Sequence, residues 1–194
     1  MIILDFSKTD KWQEMLVDLG TGKSEHKKFF EVFKQFSQNI YTGKMNLEEF
    51  TEIVKSKFDI DVPSEYSMLD DFANRFEANP SLTPIITKLS KRYKLGLLTT
   101  QYLGMLDKIK ERGIFPEVKW DVIVDSSIVG FCKPQDEIFK LAEEKSSVAP
   151  KNILFIENSE KHIQVAKKRG WQTLLYNPAN VVHSNERLVK MLDT

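Results

Sequence analysis

The sequence predicts an α/β protein: a doubly wound, mostly parallel, Rossmann-like sheet with an inserted helical cap. Three observations predict it. Five short apolar runs have the length of strands and no alternation, which marks strands covered on both faces. From residue 80 onward, helical stripes fall between these runs in the rhythm of a parallel sheet. Between the first run and the others, residues 11–78 carry helical stripes and few strand signals.

The first run is Ile2-Ile3-Leu4. Trp12 to Leu19 then reads as helix. Phe29, Phe30, Phe33 and Phe36 follow at helical spacing, as do Phe50, Ile53 and Val54, then Met68, Leu69, Phe72 and Phe76. Turn residues divide these helices at Gly20-Thr21-Gly22, Tyr41-Thr42-Gly43 and Asp61-Val62-Pro63. The phenylalanine stripes read as the core of the cap rather than as a cofactor pocket. Beyond them, Leu82, Ile85, Ile86 and Leu89 mark a helix, and Leu95 to Leu98 a strand. Leu103, Leu106 and Ile109 give the next helix, Val122-Ile123-Val124 the next strand, and Ile138, Phe139, Leu141 and Ala142 another helix. Ile153 to Ile156 and Thr173 to Tyr176 complete the strands. Gly113 and Gly170 follow Arg112 and Arg169, where helix C-caps are expected. The expected division is a core of residues 1–10 and 79–194 and a cap of residues 11–78.

Composition narrows the function classes. The chain has 194 residues, 41% of them hydrophobic, with 28 basic and 28 acidic side chains. That balance shows no basic footprint for nucleic acid. The single cysteine, Cys132, has no internal disulfide partner, and a Cys/His zinc site lacks ligands. The N-terminal apolar run lacks a basic n-region, and no run approaches the roughly 20 residues that span a bilayer. The expectation is a soluble, cytoplasmic protein with neither nucleic-acid nor membrane partners.

Gly20-Thr21-Gly22-Lys23-Ser24 looks like the tail of a phosphate-binding loop. That motif needs a glycine at position 17, which is Val17, and a strand before it, where a helix is expected. A helix–helix turn is the better reading. The stronger signal lies at the carboxyl ends of the expected strands, where open α/β sheets place ligands. Asp5 ends the first strand, Thr99-Thr100 follows the second, Gly130-Phe131-Cys132-Lys133-Pro134 precedes a helix, and Glu157-Asn158-Ser159 closes the run Ile153 to Ile156. A carboxylate, hydroxyls, an ammonium and an acid/amide pair converge on one crevice.

These residues resemble the motifs of the haloacid dehalogenase (HAD) superfamily of hydrolases, over nearly the whole chain. Asp5 with Thr9 looks like the first motif, Thr99 the second, Lys133 with Pro134 the third and Glu157-Asn158 the fourth. The inserted helices resemble the family's helical cap, with Tyr41-Thr42-Gly43-Lys44 and Glu49-Phe50 similar to a recurring cap segment. The nearest branch is that of small sugar-phosphate-type phosphatases.

The resemblance implies a catalytic set of Asp5, Thr99 and Lys133, in which Asp5 attacks phosphorus and forms an aspartyl-phosphate. A carboxylate is ionised at neutral pH and needs no base for this. Thr100 and Lys133 would bind a small phosphate ester. Mg2+ would sit among Asp5, the carbonyl of Ser7 and Asn158, with Glu157 joining through water. Three positions depart from the family pattern. Ser7 stands where phosphatases carry the acid/base aspartate, Lys8 where they carry glycine, and Asn158 where they carry a metal-binding aspartate. All three point toward weakened or lost phosphatase activity. Two alternatives stay open: a non-catalytic HAD-fold binding protein, and a metal-independent dehalogenase-like enzyme.

The other candidates are minor. His162 falls one turn into the helix after Glu157, within reach of the crevice rim, but beside Glu160 and Lys161 it reads as a solvated helix residue. Cys132 reads as packing, with its pKa lowered by adjacent Lys133. His26 and His183 have no nameable partners, and Trp12, Trp120 and Trp171 read as core or core-edge aromatics.

Overall fold

Strand Leu154–Glu157 shows how the layers are arranged. Phe155 packs with Val124, Ile138, Phe139 and Trp171, whereas Leu154 and Ile156 pack with Leu82, Ile86, Tyr176 and Leu188. Successive side chains of a strand leave on opposite faces, so both faces of this strand are covered. That is the doubly wound arrangement expected.

The computed structural model describes residues 1–4, 11–22, 24–58, 60 and 62–192. Among them the order is β1 (Ile3–Leu4), then helices α1 (Lys11–Asp18), α2 (Glu25–Tyr41), α3 (Leu47–Phe58) and α4 (Met68–Arg75), then β2 (Glu77–Ala78) and α5 (Thr83–Leu89). There follow β3 (Gly96–Thr99), α6 (Met105–Glu111), β4 (Val122–Asp125), α7 (Ser126–Val129) and α8 (Asp136–Ser146). A 3₁₀ turn at Pro150–Asn152 leads to β5 (Leu154–Glu157), α9 (Glu160–Lys168), β6 (Gln172–Leu175) and α10 (Val181–Leu192). All five apolar runs become strands. The sixth strand, β2, went unread because two residues, one of them a glutamate, carry no pattern.

The described ladders come in three pairs rather than one continuous sheet. β3 pairs with β4 in parallel, Thr99 opposite Asp125, and β5 with β6 in parallel, Glu157 opposite Leu175. β1 pairs with β2 antiparallel, Ile3 opposite Ala78. Each parallel pair is a local β–helix–β unit, closed by α6 or α9. Among the described residues β1 spans Ile3–Leu4 and its ladder is with β2. β2 also returns the chain to the first strand before residue 79.

Residues 11–75 build a separate aromatic core. Trp12 lies with its ring 5.7 Å from Phe29 and 4.4 Å from Phe72. Phe29 and Phe50 are buried, and Met105 and Ile109 of α6 join the same cluster. Polar ties reinforce this seam: Lys108 pairs with Asp70 at 2.8 Å, and Arg112 donates to the carbonyls of Ala73 and, at 3.0 Å, Phe76. The Gly20-Thr21-Gly22 stretch is the helix–helix turn expected, with Thr21 capping the Leu16 carbonyl through both its amide and its hydroxyl; Lys23 lies outside the described residues. Gly113 and Gly170 have φ of +66° and +81° just after α6 and α9, as the C-cap reading requires.

Gly43, in the turn between α2 and α3, is pressed against α7. A Cβ built on it would lie 1.9 Å from the carbonyl oxygen of Ser127, and its φ is +70°. Only glycine meets both demands. No helix among the described residues is long and apolar enough to cross a membrane.

Candidate functional site

The carboxyl ends of β3 and β5 open into one cleft of about 780 Å³, and the expected residues of the second, third and fourth motifs line it. Thr99 ends β3. Thr100 follows it, and its buried hydroxyl has no hydrogen-bond partner among the described residues. The loop beyond is held by α7, where Ser126 Oγ accepts from the amide of Gln101 at 3.0 Å. Asp125 starts that helix by accepting from the amide and hydroxyl of Ser127 at 2.9 and 2.8 Å. Ser126 and Asp125 therefore position the Thr99–Gln101 loop, a role hidden in sequence because it depends on β3 and β4 being neighbours.

Lys133 reaches into the cleft from the loop before α8. Its Nζ donates to the carbonyl of Leu98 at 3.1 Å and to Glu157 Oε2 at 2.6 Å. Both side chains of this pair are nearly buried, at 10% and 5% exposure. The other oxygen of Glu157 accepts from the amides of Asn158 and Ser159 at 2.8 and 3.0 Å. Burial alone would raise the Glu157 carboxyl, but His162 and the Lys133 ammonium overcome it and hold the group well below the usual carboxylate range.

One expectation changes here. Glu157, which the resemblance placed near a metal through water, has its two oxygens on the Lys133 ammonium and two backbone amides, and so also anchors the lysine. His162 was expected to be solvated; instead it lines the cleft with Nδ1 3.4 Å from Glu157 Oε2. The helix turn carries position 162 back over residue 157, so of the two readings the crevice rim is the one the structure takes.

Cys132 is buried, as its packing reading requires, but burial pushes its thiol up, the reverse of the expected lowering. Lys133 is turned to Glu157, and the thiol faces Gln38 Oε1 at 3.5 Å. The phenylalanine stripe divides as well. Phe29 is core, whereas Phe30 and Phe33 line the cleft. Asp5, Ser7, Lys8 and Thr9 lie outside the described residues. Among the described residues no group of three or more His, Cys, Asp or Glu side chains could hold a metal ion, and of the expected ligands Glu157 and Asn158 line the cleft.

A family model described as haloacid dehalogenase-like hydrolase matches residues 8–170. The chain belongs to this family. Two curated relatives set the scale of the likeness. Phosphorylated carbohydrates phosphatase of Thermotoga maritima is 30% identical over 115 residues, 58% of this chain and 50% of that protein. Acyl-CoA dehydrogenase family member 10 of Mus musculus is 25% identical over 162 residues, 80% of this chain but 15% of that protein. The chain thus spans half or less of these curated relatives. A HAD family enzyme of Bacteroides thetaiotaomicron, solved as a magnesium complex, superposes with a TM-score of 0.77 at 20% identity. The match covers 96% of this chain and 93% of that one, and it carries the HAD fold.

Proposed function

We propose that this chain is a weakened phosphatase of the HAD family, acting on a small phosphate monoester with Asp5 as nucleophile. The observation that carries the reading is the placement of Lys133. Its ammonium is held between Leu98 and Glu157 at the strand ends, in the cleft that Thr99 and Thr100 also line, the Thr100 hydroxyl having no partner among the described residues. Two of its three donors are used among the described residues, leaving one for a phosphoryl oxygen.

The chemistry follows from these side chains. Asp5 forms a bond to phosphorus as the ester oxygen leaves; water then cleaves the aspartyl-phosphate, releasing inorganic phosphate and restoring the carboxylate. Lys133, Thr99 and Thr100 offer fixed donors to the transferring oxygens, each of a kind typically worth about 3 kcal/mol to a barrier. Asp5, the Ser7 carbonyl and Asn158 would supply an all-oxygen donor set of the type Mg2+ takes, with one negative charge. When bound there, the ion would offset repulsion between an anionic nucleophile and an anionic substrate. Ser7 brings no acid near neutrality, so leaving-group protonation is weak. Residues 11–78 act as a cap over a core of residues 1–10 and 79–194. The free thiol of Cys132 suits a reducing, cytoplasmic setting.

Hydrolysis of para-nitrophenyl phosphate, with and without Mg2+, tests this on the protein and on Asp5→Asn. Magnesium-dependent turnover lost in Asp5→Asn is expected. Absence of turnover, or turnover indifferent to Asp5, would overturn the proposal.

A further inference from the structure

Lys133 is fixed at its tip by Leu98 and Glu157, but its base stands in a turn that a second element holds. The turn runs from Cys132 to Gln135 and is closed from both directions. The Gln135 amide donates to the Cys132 carbonyl at 2.9 Å, and the Cys132 amide donates to Gln135 Oε1 at 2.8 Å. Gln38, from α2, spans the same turn. Its Nε2 donates to Gln135 Oε1 at 3.2 Å, and its Oε1 accepts from the Cys132 thiol at 3.5 Å. These directions determine one another. A backbone amide can only donate, so the Gln135 atom it meets is the oxygen. That oxygen demands the nitrogen of Gln38, and the Gln38 oxygen is left for the thiol.

α2 is itself seated on the core here. Just beyond its end, Gly43 closes on the Ser127 carbonyl so tightly that a Cβ on it would collide. The lysine turn therefore takes its place from a helix residue 97 positions before Gln135, and not from the strand ends alone. We infer that Gln38 is a positioning residue for Lys133, setting the turn from which the ammonium reaches a phosphoryl group. A fixed donor stabilises a transferring group only where it is held in place, and a small misplacement costs rate. The inference rests on the phosphatase reading above. It gives the helical segment a part in the phosphoryl side of the cleft.

The test is kcat and KM for para-nitrophenyl phosphate, with Mg2+, in two variants. Gln38→Leu keeps the bulk and removes both polar contacts. Gln38→Glu keeps the shape and an acceptor for the thiol, but it sets a carboxylate against Gln135 Oε1. At an exposed helix position such as this one that exchange is ordinarily near neutral. Here both variants are expected to lower kcat about threefold to tenfold, the change one ordinary hydrogen bond corresponds to. KM should stay within about twofold of the parent, the pattern of an interaction used in the transition state. Gln35→Glu, at another exposed position of α2, controls for the added charge and should leave kcat unchanged. Parent kcat in either Gln38 variant, or a loss shared by Gln35→Glu, overturns the inference and leaves the phosphatase reading standing. If the parent shows no turnover, the phosphatase reading fails, and hydrogen exchange at the Cys132 amide, read by NMR, decides whether α2 holds the turn. Exchange about threefold to tenfold faster in Gln38→Leu sustains that role; an unchanged rate overturns it.

Discussion

Lys133 and Glu157 form a buried ion pair, Nζ to Oε2 at 2.6 Å, that joins the loop before α8 to the end of β5. Breaking such a pair leaves one charge buried alone, which costs about 3–5 kcal/mol. Glu157→Gln is therefore expected to lower Tm by roughly 10 °C in a protein of this size. Lys133→Met added to Glu157→Gln should recover most of that loss, since the glutamine oxygen still accepts from the amides of Asn158 and Ser159. Thermal unfolding of the three variants checks this; a double variant no more stable than Glu157→Gln would show that the pair is not the source.

The same pair sets a pH dependence. The Glu157 carboxyl is lowered from 4.5 in the folded protein. A lowered folded pKa contributes stability that is present above the unfolded value and is lost as pH falls toward the folded one. The advantage of the parent over Glu157→Gln should thus be full at neutral pH and shrink below about 4.5. Urea unfolding of both proteins at neutral pH and at about pH 3 reads this directly. An advantage that grows in acid contradicts it.

What the sequence showed and what it hid divide along one line, the range of the interaction. The strands at Leu95 to Leu98 and Ile153 to Ile156, and the caps at Gly113 and Gly170, are signalled by neighbouring residues, and they were legible. Thr99, Lys133 and Asn158 were legible because strand ends of an open sheet converge. The anchoring role of Glu157 was not, since its lysine partner arrives from 24 residues away. The β1–β2 pairing and the split of Phe29 from Phe30 depend on tertiary placement, which helical periodicity does not encode.

Gly43 offers a test of long-range packing that sequence could not supply. A Cβ there meets the Ser127 carbonyl at 1.9 Å, whereas Gly20, at a similar φ of +79°, has nothing within 4 Å. Gly20→Ala should cost about 1 kcal/mol, the left-handed penalty alone. Gly43→Ala should cost about 3 kcal/mol, because the turn or α7 must also move. Denaturant unfolding of the two variants separates these terms, and equal costs would show that the contact relaxes freely.

A closed ring of hydrogen bonds ties residues 79 and 81 to the segment from β6 to α10. Asn79 donates to Tyr176 Oη, which donates to Asn185; Asn185 donates to Ser81, which donates back to Asn79, at 3.2, 2.9, 3.0 and 2.8 Å. Tyr176→Phe keeps the ring's volume and leaves Asn79 and Asn185 each one partner short. A loss of about 1–3 kcal/mol is expected in urea unfolding. A change below about 0.5 kcal/mol, the ordinary scatter of neutral substitutions, would mean the network tolerates the gap.

The acid missing at position 7 gives the sharpest prediction about activity. A serine hydroxyl cannot donate a proton usefully near pH 7, so an ester oxygen must leave with little help. Ser7→Asp supplies a carboxyl and is expected to raise kcat by about 10²-fold or more. The gain must depend on the leaving group. Para-nitrophenolate is stable without a proton and needs the acid little, whereas the alkoxide from benzyl phosphate needs it most. Ser7→Asp should therefore raise turnover of benzyl phosphate far more than that of para-nitrophenyl phosphate. An equal gain on both would mean that the new carboxylate acts by strengthening metal binding instead. In that case Asn158→Asp, which adds a charge without an acid, should reproduce the effect.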